Sequence, residues 1–162
     1  MPKRPTLPEG PTAAPTGADA HCRALEALYA AAPIQQQYKS RLELPEPGIS
    51  RIHFDVDPAF FHAAGAAHGS TYFKMLDDAA FFAANGLVTD RFLLTTAFSL
   101  LFTRPMRAGP AVAEGRWVSG KRRVLVAEAR IIDAEGEECG RGTGTFMRSH
   151  IALTGLDGYK LP

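Results

Sequence analysis

Three ionisable side chains interrupt an otherwise apolar run at residues 69–86, GSTYFKMLDDAAFFAANG: Lys74, Asp77 and Asp78. In a helix that turns about 100° per residue, Asp78 shares its face with Thr71, Lys74 and Asn85. That stripe is polar, and Lys74 with Asp78 makes an i,i+4 ion pair on a solvated or salt-bridged face. Asp77 falls on a different face, with Phe73, Ala80, Phe81 and Ala84, and with Ser70 at its top. A carboxylate among aromatic side chains loses hydration, which raises its pKa and makes it a usable base. The competing reading is structural: a partner across a subunit boundary that satisfies the carboxylate.

The turn into this helix, AAGAAHGSTYF, carries a second piece of chemistry. Gly65 and Gly69 permit backbone geometry that a side chain would block, and the first N–H groups of a helix have no intrahelical partner. Such groups stabilise an oxyanion, helped by the positive end of the helix dipole. A helix N-terminus and a desolvated carboxylate two turns on would suit acyl transfer.

The surrounding elements must hold these groups in place. Ser70 suits a helix start and Gly86 a helix stop. A helix apolar on nearly every side is wrapped by other structure, not laid on a surface. Before it, Ile52, Phe54 and Val56 alternate with charged residues, the pattern of a half-buried strand. After it come four strand-like runs at residues 92–103, 111–119, 123–132 and 140–151, separated by turn residues. Short turns between successive strands imply an antiparallel meander, and one sheet curling around the helix is the simplest way to bury it. Upstream, Cys22, Leu25, Leu28 and Tyr29 recur at helical spacing behind a capping Asp19, up to Pro33. That helix is short and Ala-rich and is expected on the outside of the domain. Residues 34–48 read as a connection with an edge strand. Five of the twelve prolines fall in the first fifteen residues, so residues 1–17 read as a flexible tail.

The run HGSTYFKMLDDAAFFAAN resembles the central-helix signature of hotdog-fold acyl-CoA thioesterases of the phenylacetic-acid-pathway and 4-hydroxybenzoyl-CoA thioesterase type. In that family the helix opens with His-Gly-Gly and an acid follows nine residues after the His; His68 and Asp77 have that spacing. FTRPMRAG resembles the strand that ends in Arg-Pro, and VAEARIIDAEGEECGRGTGTFM resembles the last hairpin. The resemblance spans roughly residues 48–150.

It implies an α+β hotdog fold: a curved antiparallel sheet wrapped around one long central helix, here with an extra N-terminal helix. The divisions are 1–17 tail, 18–48 N-terminal helix and connection, 49–152 hotdog domain and 153–162 C-terminal tail. The resemblance also implies roles. Gly69 matches the glycine whose N–H polarises the thioester carbonyl, and Asp77 matches the nucleophile or general base. Thr95 lies where a Ser or Thr orients water. His62 stands where the family has Asn or Gln, and Ser70 stands where it has a second glycine. His68 reads as a positioning residue in the turn. The family's sites are shared between two subunits, which implies an obligate homodimer or a dimer of dimers.

Phe81, with Phe60 and Phe61, is a candidate border of an acyl pocket. The basic turn Lys121, Arg122 and Arg123 would suit the phosphates of CoA, or is simply solvated; Arg104 and Arg107, which flank Pro105, read in the same two ways. Gly140, Gly142 and Gly144 precede no helix and form no nucleotide loop; in a strand they let the sheet curve closely over the helix. No metal site is supported, and no cofactor is expected beyond the CoA of the substrate. Eighteen basic and seventeen acidic residues leave a net charge of +1, a poor match to a nucleic-acid partner. No run is long and apolar enough for a membrane span, and the opening residues lack a secretory pattern. A cytoplasmic protein with free Cys22 and Cys139 is expected. The expected reaction is hydrolysis of an acyl-CoA thioester. The alternatives are a non-catalytic acyl-thioester binding protein and a hotdog-fold hydratase or dehydratase, which needs a differently spaced His and acid.

Overall fold

The computed structural model describes residues 17–162. The tail expected at 1–17 therefore lies outside the described residues up to position 16, and Gly17 already belongs to the first helix. That helix, α1 (Gly17–Ala31), places Asp19 in its first turn, not at its cap; a carboxylate there still complements the helix dipole. A short helix α2 (Gln35–Tyr38) and strands β1 (Arg41–Glu46) and β2 (Ile49–Val56) follow. The central helix is α3 (Gly69–Asn85). Four long strands complete the chain: β3 (Arg91–Phe102), β4 (Gly109–Ser119), β5 (Val124–Asp133) and β6 (Glu138–Ala152).

The six strands form one antiparallel sheet in the order β1-β2-β4-β5-β6-β3. Strands β4, β5 and β6 are the expected meander, but β3 does not join it next to β4. It pairs with β6 at the far edge, while β2 takes the free side of β4. The reason is the helix: α3 crosses the concave face from the β2 side, so the chain re-enters the sheet on the opposite edge. Residues 103–108 then carry it back, held by the amides of Thr103 and Arg104 on the Cys139 carbonyl and by the Tyr72 hydroxyl donating to Arg104 O.

Alternation decides which side chains meet the helix. Ala111, Ala113, Leu125, Ala127, Ile131 and Phe146 point inward and are buried against α3. The closest approach is at Gly115, where a Cβ would stand 2.1 Å from Ala79 O. Of the β6 glycines, Gly140 serves the expected purpose, since a Cβ there would lie 3.0 Å from Tyr72 Cδ1 of α3; Gly142 and Gly144 instead make room for the Phe98 ring of β3, 2.4 and 2.6 Å from a would-be Cβ. On the outer face, Arg51, Glu114, Arg130 and Arg141 are register partners in one row across the sheet. This face is the exposed one, and its ion pairs include Arg130–Glu114 at 2.9 Å.

The stripe Thr71–Lys74–Asp78–Asn85 is not solvated. Helix α1 covers it, setting Tyr29 edge-on to Phe82 with ring centroids 5.3 Å apart. Asn85 is fully buried and bonds to Val88 O, Arg91 O and the Leu93 amide. At the same end, buried His21 bridges Tyr159 Oη at 2.7 Å and Asn85 O at 3.0 Å. The N-terminal helix is thus part of the core. Cys22 and Cys139 are both free and buried.

Candidate functional site

His68, not Ser70, caps α3. Its backbone is extended (φ −62°, ψ 148°), and its Nδ1 accepts from the Ser70 amide at 3.1 Å while lying 2.9 Å from Ser70 Oγ. This satisfies one of the unpaired N–H groups at the helix start. Gly69 lies half-buried beneath the ring of Phe102, whose Cζ would be 3.2 Å from a Cβ placed there. His62 sits exposed in the preceding turn, and its Nδ1 accepts from the Ala64 amide at 3.1 Å. The same turn is fastened by the Ala67 amide to Met106 O.

Asp77 lies two turns further along α3, half-buried. The Thr95 hydroxyl donates to its Oδ1 at 2.9 Å, a bond from β3 to the helix. Burial pushes the Asp77 pKa up to about 6; the Thr95 bond works against this and the neighbouring Asp78 charge adds to it. Asp77 and Thr95 open onto a cavity of about 610 Å³ whose walls include Leu28, Phe81, Phe82 and Phe92. Phe81 therefore borders this space. Phe60 and Phe61 do not: Phe60 stacks on Tyr38 at 4.9 Å, and its carbonyl receives the His68 amide beside the helix start.

Asp78 is one residue away from Asp77 but differently satisfied, by Lys74 Nζ at 2.8 Å. Lys74 in turn donates to Tyr29 Oη at 2.9 Å and lies over the Tyr29 and Tyr38 rings. Burial works to discharge this lysine, but Asp78 and Tyr29 outweigh it and hold its pKa above the usual value. The sequence pattern shows the ion pair but not its roof. The tyrosines come from residues 36 to 45 positions away, with no local signal.

Gly69 and Asp77 are eight residues apart, about 12 Å along the helix axis. The basic turn stands at the other end of α3 from Gly69, where the Arg148 amide of β6 donates to Arg123 O. Lys121, Arg122 and Arg123 follow Gly120, whose carbonyl accepts from the Trp117 indole, and Trp117 packs at Gly48 by the C-terminal end of α3. Within one chain the structure thus joins Asp77, Thr95 and Phe81. It joins Gly69, Ser70 and His68 as a second group, with His62 in the adjoining turn. A larger depression, about 730 Å³, lies on the outer sheet face among Arg51, Glu114, Arg116, Glu128, Arg130 and Arg141. Among the described residues no three His, Cys, Asp or Glu side chains converge as metal ligands, and no helix is long and apolar enough to cross a membrane.

A curved antiparallel sheet wrapped around one long helix is the hotdog architecture. The Thioesterase superfamily matches residues 64–140. A Saccharolobus solfataricus protein named as an esterase is 28% identical over 102 residues, 63% of this chain and 68% of that protein. The Escherichia coli PaaI protein of the phenylacetic acid degradation operon shares the fold at a TM-score of 0.77 and 16% identity, over 85% of this chain and 99% of that one. A thioesterase family protein from Silicibacter pomeroyi shares it at 0.72 and 24%, over 78% and 96%. The segment 64–140 thus resembles the Thioesterase superfamily, and the described chain shares the hotdog fold of these solved structures. Thioester hydrolysis, in general terms, is the chemistry that this family carries.

Proposed function

We propose that the protein hydrolyses an acyl-CoA thioester to the free acid and CoA. One observation carries this reading: Asp77, a carboxylate with its pKa raised to about 6, faces an apolar cavity and is held by Thr95. A general base tuned toward neutrality is what activation of water at physiological pH requires.

The thioester carbonyl sits over the start of α3, where the Gly69 N–H points at its oxygen. Asp77 takes a proton from water, and the water oxygen bonds to the carbonyl carbon. Negative charge collects on the carbonyl oxygen, facing the Gly69 N–H and the positive end of the helix. Collapse breaks the C–S bond, and the thiolate leaves with the proton that Asp77 took. Direct attack by Asp77 fits the same geometry, giving a mixed anhydride that water then opens. Neither route calls on a metal or redox cofactor.

The distance from Gly69 to Asp77 within one chain calls for a second subunit, with Gly69 from one chain and Asp77 from its partner. The edge of β3 supports such a dimer. This strand has twelve residues and pairs on one side only, with β6. It exposes Leu94, Leu101 and Phe102, and a long apolar edge is a template for pairing with another chain. The basic turn Lys121–Arg123 offers charge for CoA phosphates, and from its place at the far end of α3 it would serve the partner's site. A dimer of dimers is compatible with the same pairing.

The test is CoA release from a panel of aromatic, short and medium acyl-CoAs. Asp77→Asn is expected to lose at least about a thousandfold in kcat with its fold intact, and Asp78→Asn much less. A wild-type protein that releases CoA from no thioester would overturn the reading, and so would an Asp77→Asn variant with full activity.

A further inference from the structure

The cavity beside Asp77 has a wall that the hotdog unit itself does not supply. Leu28, Ala31, Ala32, Pro33, Ile34 and Gln35, from the end of α1 and the turn into α2, face Asp77 across it. Its volume of about 610 Å³ is that of a pocket for a small organic group, in the range of about 300–1,000 Å³. Asp157 also stands at its lining, as does Asp78, whose charge is taken up by Lys74 at 2.8 Å; among the described residues no lysine or arginine lines it.

The wall is fastened at both ends to one buried cation. Tyr29, just before the turn, accepts from Lys74 Nζ at 2.9 Å, and Tyr29 Oη lies 2.5 Å from Ser40 Oγ. Ser40 Oγ donates to Gln35 Oε1 at 2.7 Å on the other side of the turn. Lys74 is committed to Asp78 as well. Local hydrogen bonds, Ala32 N to Tyr29 O and Gln35 N to Ala32 O, shape the turn between these anchors. Such fastening keeps an apolar turn over an apolar space instead of letting it collapse or swing away.

We infer that the turn from Leu28 to Gln35 is the specificity-determining wall of the acyl pocket, and that the pocket selects uncharged apolar acyl groups over acyl groups ending in a carboxylate. This rests on the thioesterase reading for its substrate, and on geometry for the wall. An apolar chain loses water against Leu28, Ile34 and the phenylalanines. A terminal carboxylate would be desolvated beside Asp77 and Asp157, and Lys74, the cation behind Asp78, is already paired with the Asp78 carboxylate.

Binding of unhydrolysable CoA thioethers separates the wall from the chemistry. S-ethyl-CoA, S-decyl-CoA and S-(9-carboxynonyl)-CoA are titrated calorimetrically into the full chain. Wild type is expected to bind the decyl thioether at least tenfold more tightly than either of the others. Ile34 lies at the rim, 46% exposed, so Ile34→Trp narrows the pocket without entering the core; Leu28→Trp fills it from within. Each is expected to shrink the decyl-to-ethyl affinity ratio at least fivefold. An unchanged ratio in both variants would overturn the wall. Equal affinity for the decyl and carboxynonyl thioethers would overturn the charge selection. If the ratios behave as expected while wild type turns over no acyl-CoA, the wall stands and the hydrolase reading falls. Turnover with unchanged ratios gives the reverse.

Discussion

The Thr95 hydroxyl reaches across 2.9 Å from β3 to Asp77 on α3, and it is the hydrogen bond that favours the ionised form of a carboxylate otherwise pressed toward neutrality by burial. Strand and helix are thereby coupled at one atom of the candidate base. A carboxylate so placed is both a strong base and a cost to the fold.

The pH dependence follows from that bond. If ionised Asp77 is the active form, kcat/KM rises with pH and inflects at about 6. Thr95→Val removes a contact that favours the carboxylate, so the inflection moves to higher pH. A pH–rate profile of each protein on one acyl-CoA checks both statements; an inflection that ignores Thr95 would disconnect Asp77 from the rate.

Stability carries the same signature with a defined sign. The folded pKa of Asp77, about 6, lies above its ordinary 3.8. Its contribution is therefore fully present below the unfolded pKa and is lost as pH rises through the folded one. Asp77→Asn is expected to melt above wild type at pH 8, and the two curves are expected to converge near pH 4. Melting scans at the two pH values read this directly.

Lys74 is the keystone of the covered stripe, its side chain only 7% exposed. Lys74→Met strands Asp78 without its cation, at a cost of about 3–5 kcal/mol. Tyr29→Phe keeps the ring and loses one hydroxyl, costing about 1 kcal/mol. Urea unfolding monitored by far-UV circular dichroism measures both. A Lys74→Met protein as stable as wild type would mean that the Lys74 network adds nothing to the hold on α1.

Phe73 is 45% exposed on the helix face that also carries Asp77, its ring edge-on to Phe98. In the proposed dimer this aromatic surface is covered. Phe73→Glu is expected to give a folded monomer with little or no CoA release. Sedimentation velocity reports the assembly state, and an active monomer would refute the shared site.

Gly115 bears the tightest contact between helix and sheet, with Ala79 O 2.1 Å and Ser50 Oγ 2.4 Å from a would-be Cβ. Backbone cannot rotate away, so Gly115→Ala costs about 3 kcal/mol or more. Gly142→Ala meets the Phe98 ring, which can turn, and the Ser99 carbonyl at 2.8 Å, a milder backbone overlap than the 2.1 Å at Gly115, and costs less. Thermal melts of the two variants should rank them in that order.

Local pattern was sufficient wherever the physics is local. Alternation announced β2, apolar helical spacing announced α3, and the strand runs after it fell within two residues of β3–β6. The angle between Asp77 and Asp78 around the helix followed from their adjacency, and with it the separation of a carboxylate on an aromatic face from one paired to Lys74. Ser70 does stand in the first turn of α3, but the cap is His68, whose ring nitrogen accepts the Ser70 amide as a capping hydroxyl at position 68 would.

Edge choice, cover and cavity needed the folded chain. The edge that β3 joins depends on the side from which α3 leaves the concave face, and the strand's own residues do not encode it. The cover over Lys74 and the wall opposite Asp77 come from α1 and its following turn, more than thirty residues upstream in sequence. An apolar helix face shows only that it will be buried, since the hydrophobic effect has no direction. Which surface buries it is settled when the whole sheet closes. Helical periodicity thus determined from sequence alone which acid faces the aromatic side, and the tertiary structure decided what stands in front of it.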